Sequence, residues 1–213
     1  MRLHGFVRGS ATWRVRIALA LKNLAVDTVE HAPTEEARGA ELPPFLTKPL
    51  FPGSLPTMET DAGAPISQSL AIVEWLEELW PTPPLLPPDP LGRARVRAFA
   101  MTIACDLQPL HSARVMRRLH AVGLTTAQAR HWLRLSLNEG LDACEALLSS
   151  ADGPFCFGAM PGLADLCLVP QLALARQLGA IVTYPRLLAA EAACLTLPAF
   201  SDTRPPPDEL LET

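Results

Sequence analysis

Six prolines in the twelve residues Pro81-Thr82-Pro83-Pro84-Leu85-Leu86-Pro87-Pro88-Asp89-Pro90-Leu91-Gly92 constrain this chain more than any other feature. Proline removes a backbone donor and clashes with the preceding helical turn, so no helix runs through this stretch and an extended connector is expected. It separates a first part that alternates strand-like and helix-like segments from a second part that is helical throughout. With 213 residues and 49% hydrophobic content, the chain is long enough for two modest domains, each with its own core. The boundaries read as a first domain at residues 1–82, a connector at 83–92, and a helical domain with an irregular tail at 93–213.

In the first part, residues 2–7 form a strand candidate that ends at Arg8-Gly9-Ser10. Residues 12–23 carry Val15, Ile17, Leu19 and Leu21, with Arg14, Arg16 and Lys22 on another face, which predicts a helix. Residues 25–31 are a second strand, so a βαβ unit with a parallel pair is expected. Residues 55–60 and 64–66 flank the turn-forming triplet Asp61-Ala62-Gly63 and read as a hairpin. Residues 68–80 are amphipathic, with Ile72, Val73, Leu76 and Leu79 apolar and Glu74, Glu77 and Glu78 on a solvated face. The order β-α-β, a connecting region, then β-β-α is that of a thioredoxin-like domain. The fold class is therefore α/β plus all-α.

In the second part, long helical patterns are expected at residues 93–121 and 126–149, and further helices at 163–178 and 185–194. Leu133, Leu137, Leu141, Cys144 and Leu148 mark one buried face by their spacing of three to four residues. Asp165 follows Gly162 by three residues and reads as half of a capping box, a structural role.

Charge and cysteine use narrow the function. The formal net charge is −4 with no basic block, which argues against a nucleic-acid partner. Apolar stretches are broken well short of the ~20 residues of a membrane span, and the first ten residues lack a signal-peptide core, so a cytoplasmic protein with no membrane partner is expected. The five cysteines (Cys105, Cys144, Cys156, Cys167, Cys194) show no paired spacing, which disfavours a disulfide framework or metal site. Most read as buried small hydrophobes.

Three stretches carry a family resemblance: the run from Arg14 to Lys22, Ile66-Ser67-Gln68-Ser69-Leu70-Ala71-Ile72, and Asp165 with Val169-Pro170-Gln171. They resemble the zeta-class glutathione transferases, a family that includes the maleylacetoacetate and maleylpyruvate isomerases. The resemblance implies the glutathione-transferase fold, a homodimer, and glutathione as cofactor. It implies that Pro56 is cis and that the Leu55 backbone pairs with the cysteinyl group like an added strand. It also implies that Gln68 and Ser69, at a helix start, hold a glutathione carboxylate; a helix N-terminus with free N–H groups suits an anion. Simple capping by Ser67 or Ser69 is the competing local reading. Gln108 matches a further glutathione contact.

The thiol of glutathione needs a donor that favours its thiolate. Among transferase classes this donor is Tyr, Ser or Cys. The single tyrosine is Tyr184 and no cysteine precedes Cys105, so a serine-type site is left. The family's usual Arg-Ser-Ser-Cys is Arg8-Gly9-Ser10-Ala11 in this chain. Its first serine and its cysteine are therefore lost, and Ser10 is the expected sulfur donor, with Thr12 second. Both also suit helix capping. The implied reaction is cis–trans isomerisation of a maleyl dicarboxylate in aromatic catabolism, with Arg8, Arg114 and Arg176 as substrate-binding candidates. The alternatives are a general glutathione transferase or peroxidase and a non-catalytic glutathione-binding protein.

Overall fold

The computed structural model describes residues 1–31, 55–148 and 152–206. They form two units, Met1–Pro83 with Pro198–Thr213, and Pro84–Leu197.

In the first unit, β1 (Arg2–Gly5) lies parallel to β2 (Asp27–Glu30), in register from Arg2↔Asp27 to Gly5↔Glu30. On its other side β1 is antiparallel to β3 (Thr57–Glu59), which in turn pairs antiparallel with β4 (Pro65–Ser67), giving the sheet order β2-β1-β3-β4. The hairpin turns at Asp61-Ala62-Gly63, where Gly63 takes a φ of 77° that a side chain would disfavour. Helices α1 (Ser10–Leu21) and α2 (Ser69–Leu79) pack on each other. Leu3, Val15, Ile17, Met58, Ile72 and Leu76 are buried in this unit, each stabilising the fold by roughly 1.5–3 kcal/mol.

Arg14 of α1 and Lys22, its C-cap, depart from the amphipathic reading. Arg14 and Lys22 are buried rather than solvated. The Lys22 Nζ donates to Glu77 Oε2 at 2.7 Å, to the Trp80 carbonyl at 2.5 Å and to the Pro83 carbonyl at 3.1 Å. Glu77 is consequently buried too, not part of a solvated face. A buried ammonium is tolerated only when its protons are all met, and here the C-terminal end of α2 and the residues just after it supply the acceptors. The short helix α8 (Pro198–Ser201) also belongs to this unit and packs against α1. Just beyond it, Thr203 Oγ1 accepts a 3.0 Å hydrogen bond from the indole of Trp13.

The second unit begins at α3 (Pro90–Met101), capped by Asp89, whose carboxylate accepts the Gly92 N–H at 2.7 Å. The single helix expected to residue 121 does not form. The chain widens into a π-helical stretch (Thr102–Leu107), tightens into a 3-10 turn (Gln108–His111), and breaks at Ser112. Pro109 has no N–H to continue an α-helical ladder, and Ser112 restarts one. The Ser112 hydroxyl donates to the Pro109 carbonyl at 2.8 Å and accepts the Val115 N–H at 3.4 Å, capping α4 (Ala113–Ala121).

Helix α5 (Thr126–Leu147) opens with a Thr125–Gln128 capping box and buries Leu133, Leu137, Leu141 and Cys144 along one face, as the spacing predicts. Helices α6 (Leu163–Gln177) and α7 (Pro185–Leu195) pack together. Asp165 is buried at the start of α6. One carboxylate oxygen accepts the Gly162 N–H and the other the Cys156 N–H, each at 2.9 Å, and the Cys194 thiol lies 3.6 Å from the latter. Burial pushes this carboxyl above the usual carboxylate range, against the opposing effect of those donors. Gly162 supplies no hydroxyl because it has no room for one: a Cβ there would lie 2.8 Å from the Leu85 carbonyl oxygen.

Four cysteines are buried and Cys105 is exposed; none is bridged. Burial pushes the Cys144 thiol to about 12 and those of Cys156 and Cys194 higher. These thiols are poor nucleophiles at neutral pH. No described helix is long and apolar enough to cross a membrane.

Candidate active site

The strand register brings three connections to one edge of the sheet. His4 pairs with Thr57, and Thr57 pairs with Ser67. The residues after β1 (Phe6 to Ser10), those before β3 (Leu55 and Pro56) and those after β4 (Gln68 and Ser69) therefore all leave the sheet at the same end.

The first connection is tightly built. A Cβ on Gly5 would lie 2.4 Å from Thr12 Cγ2, so glycine at the end of β1 lets the first turn of α1 approach closely. The buried Thr12 accepts the Phe6 N–H on its hydroxyl at 3.2 Å, which engages it in fastening this turn. Arg16 Nη2 adds a 2.9 Å hydrogen bond to the Val7 carbonyl. Gly9 precedes α1, donates its N–H to the Phe6 carbonyl at 2.9 Å, and provides no side-chain cap. A Cβ on Gly9 would stand 3.2 Å from Phe6 O and 3.3 Å from Thr12 Oγ1. A serine here would force one of them to give way. Ser10 is the first residue of α1 and half-buried; Arg8 lies exposed in the turn.

The Leu55–Pro56 peptide is cis, and Pro56 is buried where the chain enters β3. After β4, Gln68 adopts φ 73° and ψ 116°, a left-handed conformation that costs a non-glycine residue about 1–3 kcal/mol. Its carbonyl accepts the Ile72 N–H at 3.0 Å. No side chain caps α2, so the capping reading for Ser67 and Ser69 gives way to a different arrangement. The buried Ser69 hydroxyl accepts a 2.6 Å hydrogen bond from Arg14 Nη1. This contact ties the second turn of α1 to the first turn of α2. Two helix N-termini, each with a partial positive charge and neither capped by a side chain, thus adjoin a buried guanidinium. Such a place accepts anionic groups. Nothing in the polarity pattern of α1 marked Arg14 as part of it.

In the second unit, Gln108 opens the 3-10 turn and is half-buried, while Arg114 lies exposed in the first turn of α4. The break at Ser112 puts these two on different elements. The third arginine has another partner: Arg176 makes a two-pronged ion pair with Glu191 of α7, at 2.6 and 2.5 Å. That hydrogen-bonded pairing raises the Arg176 guanidinium pKa and makes it a strut between α6 and α7. The lone tyrosine, Tyr184, donates its hydroxyl to the Asn138 carbonyl at 3.2 Å, far along the chain from the sheet.

The family described as glutathione S-transferase, N-terminal domain, matches residues 9–79. Over 96% of each chain, this protein is 39% identical to the maleylacetoacetate isomerase of Pseudomonas aeruginosa. It is 40% identical to the maleylpyruvate isomerase of a Ralstonia species, covering 96% of this chain and 97% of that one. Among solved structures it is similar to a holo maleylpyruvate isomerase, a bacterial zeta-class glutathione S-transferase, at a TM-score of 0.87 and 37% identity, covering 98% and 99% of the two chains. It is also similar to a maleylacetoacetate isomerase from Anaeromyxobacter dehalogenans 2CP-1 with GSH bound in its active site, at a TM-score of 0.85 and 38% identity, covering 97% and 96%. The chain belongs to the zeta-class glutathione transferases, the family of the maleylacetoacetate and maleylpyruvate isomerases.

Proposed function

We propose that this protein is a glutathione-dependent cis–trans isomerase of a maleyl dicarboxylate, maleylacetoacetate or maleylpyruvate, acting in the cytoplasm in aromatic catabolism. The observation that carries the reading is the shared sheet edge, where the uncapped starts of α1 and α2 lie beside the Leu55–Pro56 connection. It comes with relatives of that activity along nearly the whole chain. The residues present fit glutathione. A tripeptide with two carboxylates needs backbone partners and anion donors, and this edge offers both. Leu55 is assigned to its peptide, Gln68 and Ser69 to a carboxylate, and Gln108 to a further contact.

Bound glutathione would supply a thiolate that adds reversibly to the maleyl double bond and leaves after rotation. Ser10 would donate to the sulfur, aided by the N–H groups that open α1. Thr12 is buried with its hydroxyl on Phe6 and is assigned to the turn instead. Arg8 and Arg114 would hold the substrate carboxylates; Arg176, tied to Glu191, is left out.

Assays of maleylpyruvate, maleylacetoacetate and a neutral chromogenic electrophile, each with and without glutathione, test this reading. Ser10→Ala is expected to lower glutathione-dependent turnover roughly tenfold, a change of about 1.4 kcal/mol in the barrier. Arg114→Ala is expected to raise the KM for the maleyl dianion while sparing the neutral electrophile. Equal losses on both substrates would point to a general transferase, and activity without glutathione would sink the assignment. A homodimer is also proposed, and a monomer in sedimentation at micromolar concentration would refute it.

A further inference from the structure

We infer that Arg14 is a positioning residue for glutathione binding, acting through the hydroxyl of Ser69; this rests on the glutathione reading above. Arg14 and Ser69 are 55 residues apart in sequence and meet at 2.6 Å with both side chains buried. A guanidinium has five donors and no acceptor, so this hydrogen bond has one possible polarity: Arg14 donates and Ser69 Oγ accepts. The single hydroxyl proton of Ser69 is therefore turned away from Arg14. A serine at the start of a helix ordinarily chooses between accepting from backbone N–H groups and donating outward. Arg14 settles that choice. It fixes Ser69 as a donor beside the first N–H groups of α2, which is the polarity a carboxylate requires. A hydrogen bond from a charged donor also polarises the hydroxyl and strengthens its own donation. No contact between Arg14 and glutathione is needed.

A double-mutant cycle on glutathione affinity, read by calorimetry with kcat measured at saturating glutathione, tests the assignment. Arg14→Met and Ser69→Ala are each expected to weaken glutathione about tenfold, with the loss of affinity exceeding any loss of kcat. The double variant is expected to be no weaker than Ser69→Ala alone, because Arg14 acts only through that hydroxyl. Multiplying losses, about a hundredfold in the double variant, would show Arg14 acting independently and overturn the inference. Unchanged affinity in Arg14→Met would reduce the contact to a structural hydrogen bond and overturn it too. Unchanged affinity in Ser69→Ala would instead remove Ser69 from the glutathione site, a failure of the underlying reading. If Arg14→Met does not fold, a crystal structure of the wild-type protein with glutathione decides. Ser69 Oγ should lie within hydrogen-bond distance of both Arg14 and a glutathione carboxylate. Arg14 bonded directly to glutathione, or Ser69 away from the carboxylate, would overturn the inference.

Discussion

Lys22→Met is expected to lower the stability of the fold by about 3–5 kcal/mol, the range for removing one partner of a buried ion pair. Methionine matches the aliphatic length of lysine, so packing is nearly kept and the loss is electrostatic. The Lys22 ammonium is fully buried and meets the Glu77 carboxylate and the carbonyls of Trp80 and Pro83. Without it, Glu77 is left as a buried anion beside the half-buried carbonyls of Trp80 and Pro83. Adding Glu77→Leu should recover part of the loss, since an apolar pair no longer strands a charge. Denaturant unfolding of the wild type, the single variants and the double variant measures this. A loss under 1 kcal/mol in Lys22→Met would show that water reaches Glu77 and that the ion pair is worth no more than a surface one.

Asp165→Ala is expected to cost about 2–5 kcal/mol, about 1–3 kcal/mol from the buried Cys156 N–H that loses its acceptor and the remainder from the half-buried Gly162 N–H and lost packing. Those groups belong to Gly162 and Cys156, and each meets a different carboxylate oxygen. Asp165→Asn should therefore not rescue it. An amide has one acceptor oxygen, and its NH2 would face the second N–H donor to donor. The pH dependence gives an independent check. Burial raises the Asp165 pKa in the folded state, so folding favours its protonated form. The wild type should gain stability relative to Asp165→Ala as pH falls through that raised value toward the unfolded pKa of about 3.9. A parallel pH profile for the two proteins, or full stability in Asp165→Asn, would contradict the assignment.

The part of this protein legible in sequence was whatever depends on near neighbours along the chain. Proline density excluded a helix from residues 81–89, because proline acts on its own backbone and the preceding turn. Alternation and the three-to-four residue spacing located β1, the hairpin, α2 and the buried face of α5, because both periods follow from local geometry. Composition put the single tyrosine at Tyr184 and no cysteine before Cys105; Ser10 as sulfur donor is what the family resemblance implies. The same periodicity put Glu77 on a solvated face and set Arg14 and Lys22 apart from the apolar face, whereas all three are buried. A polar residue is buried only when a partner meets it, and here the partners lie 55 residues apart in both pairs. Sequence also gave no sign that Arg176 would meet Glu191 of α7 or that the Thr12 hydroxyl would accept the Phe6 N–H in the β1–α1 turn. The glycines at 9 and 162 departed from the family pattern without a visible reason in sequence. Tertiary packing supplies one: at both positions a Cβ would press on an oxygen from the surrounding fold. Local pattern thus determined the order and kind of most elements, but not the breaks that divide the expected helix over 93–121. Which polar groups face ligand, which face each other and where a side chain has no room were decided only when distant segments packed together.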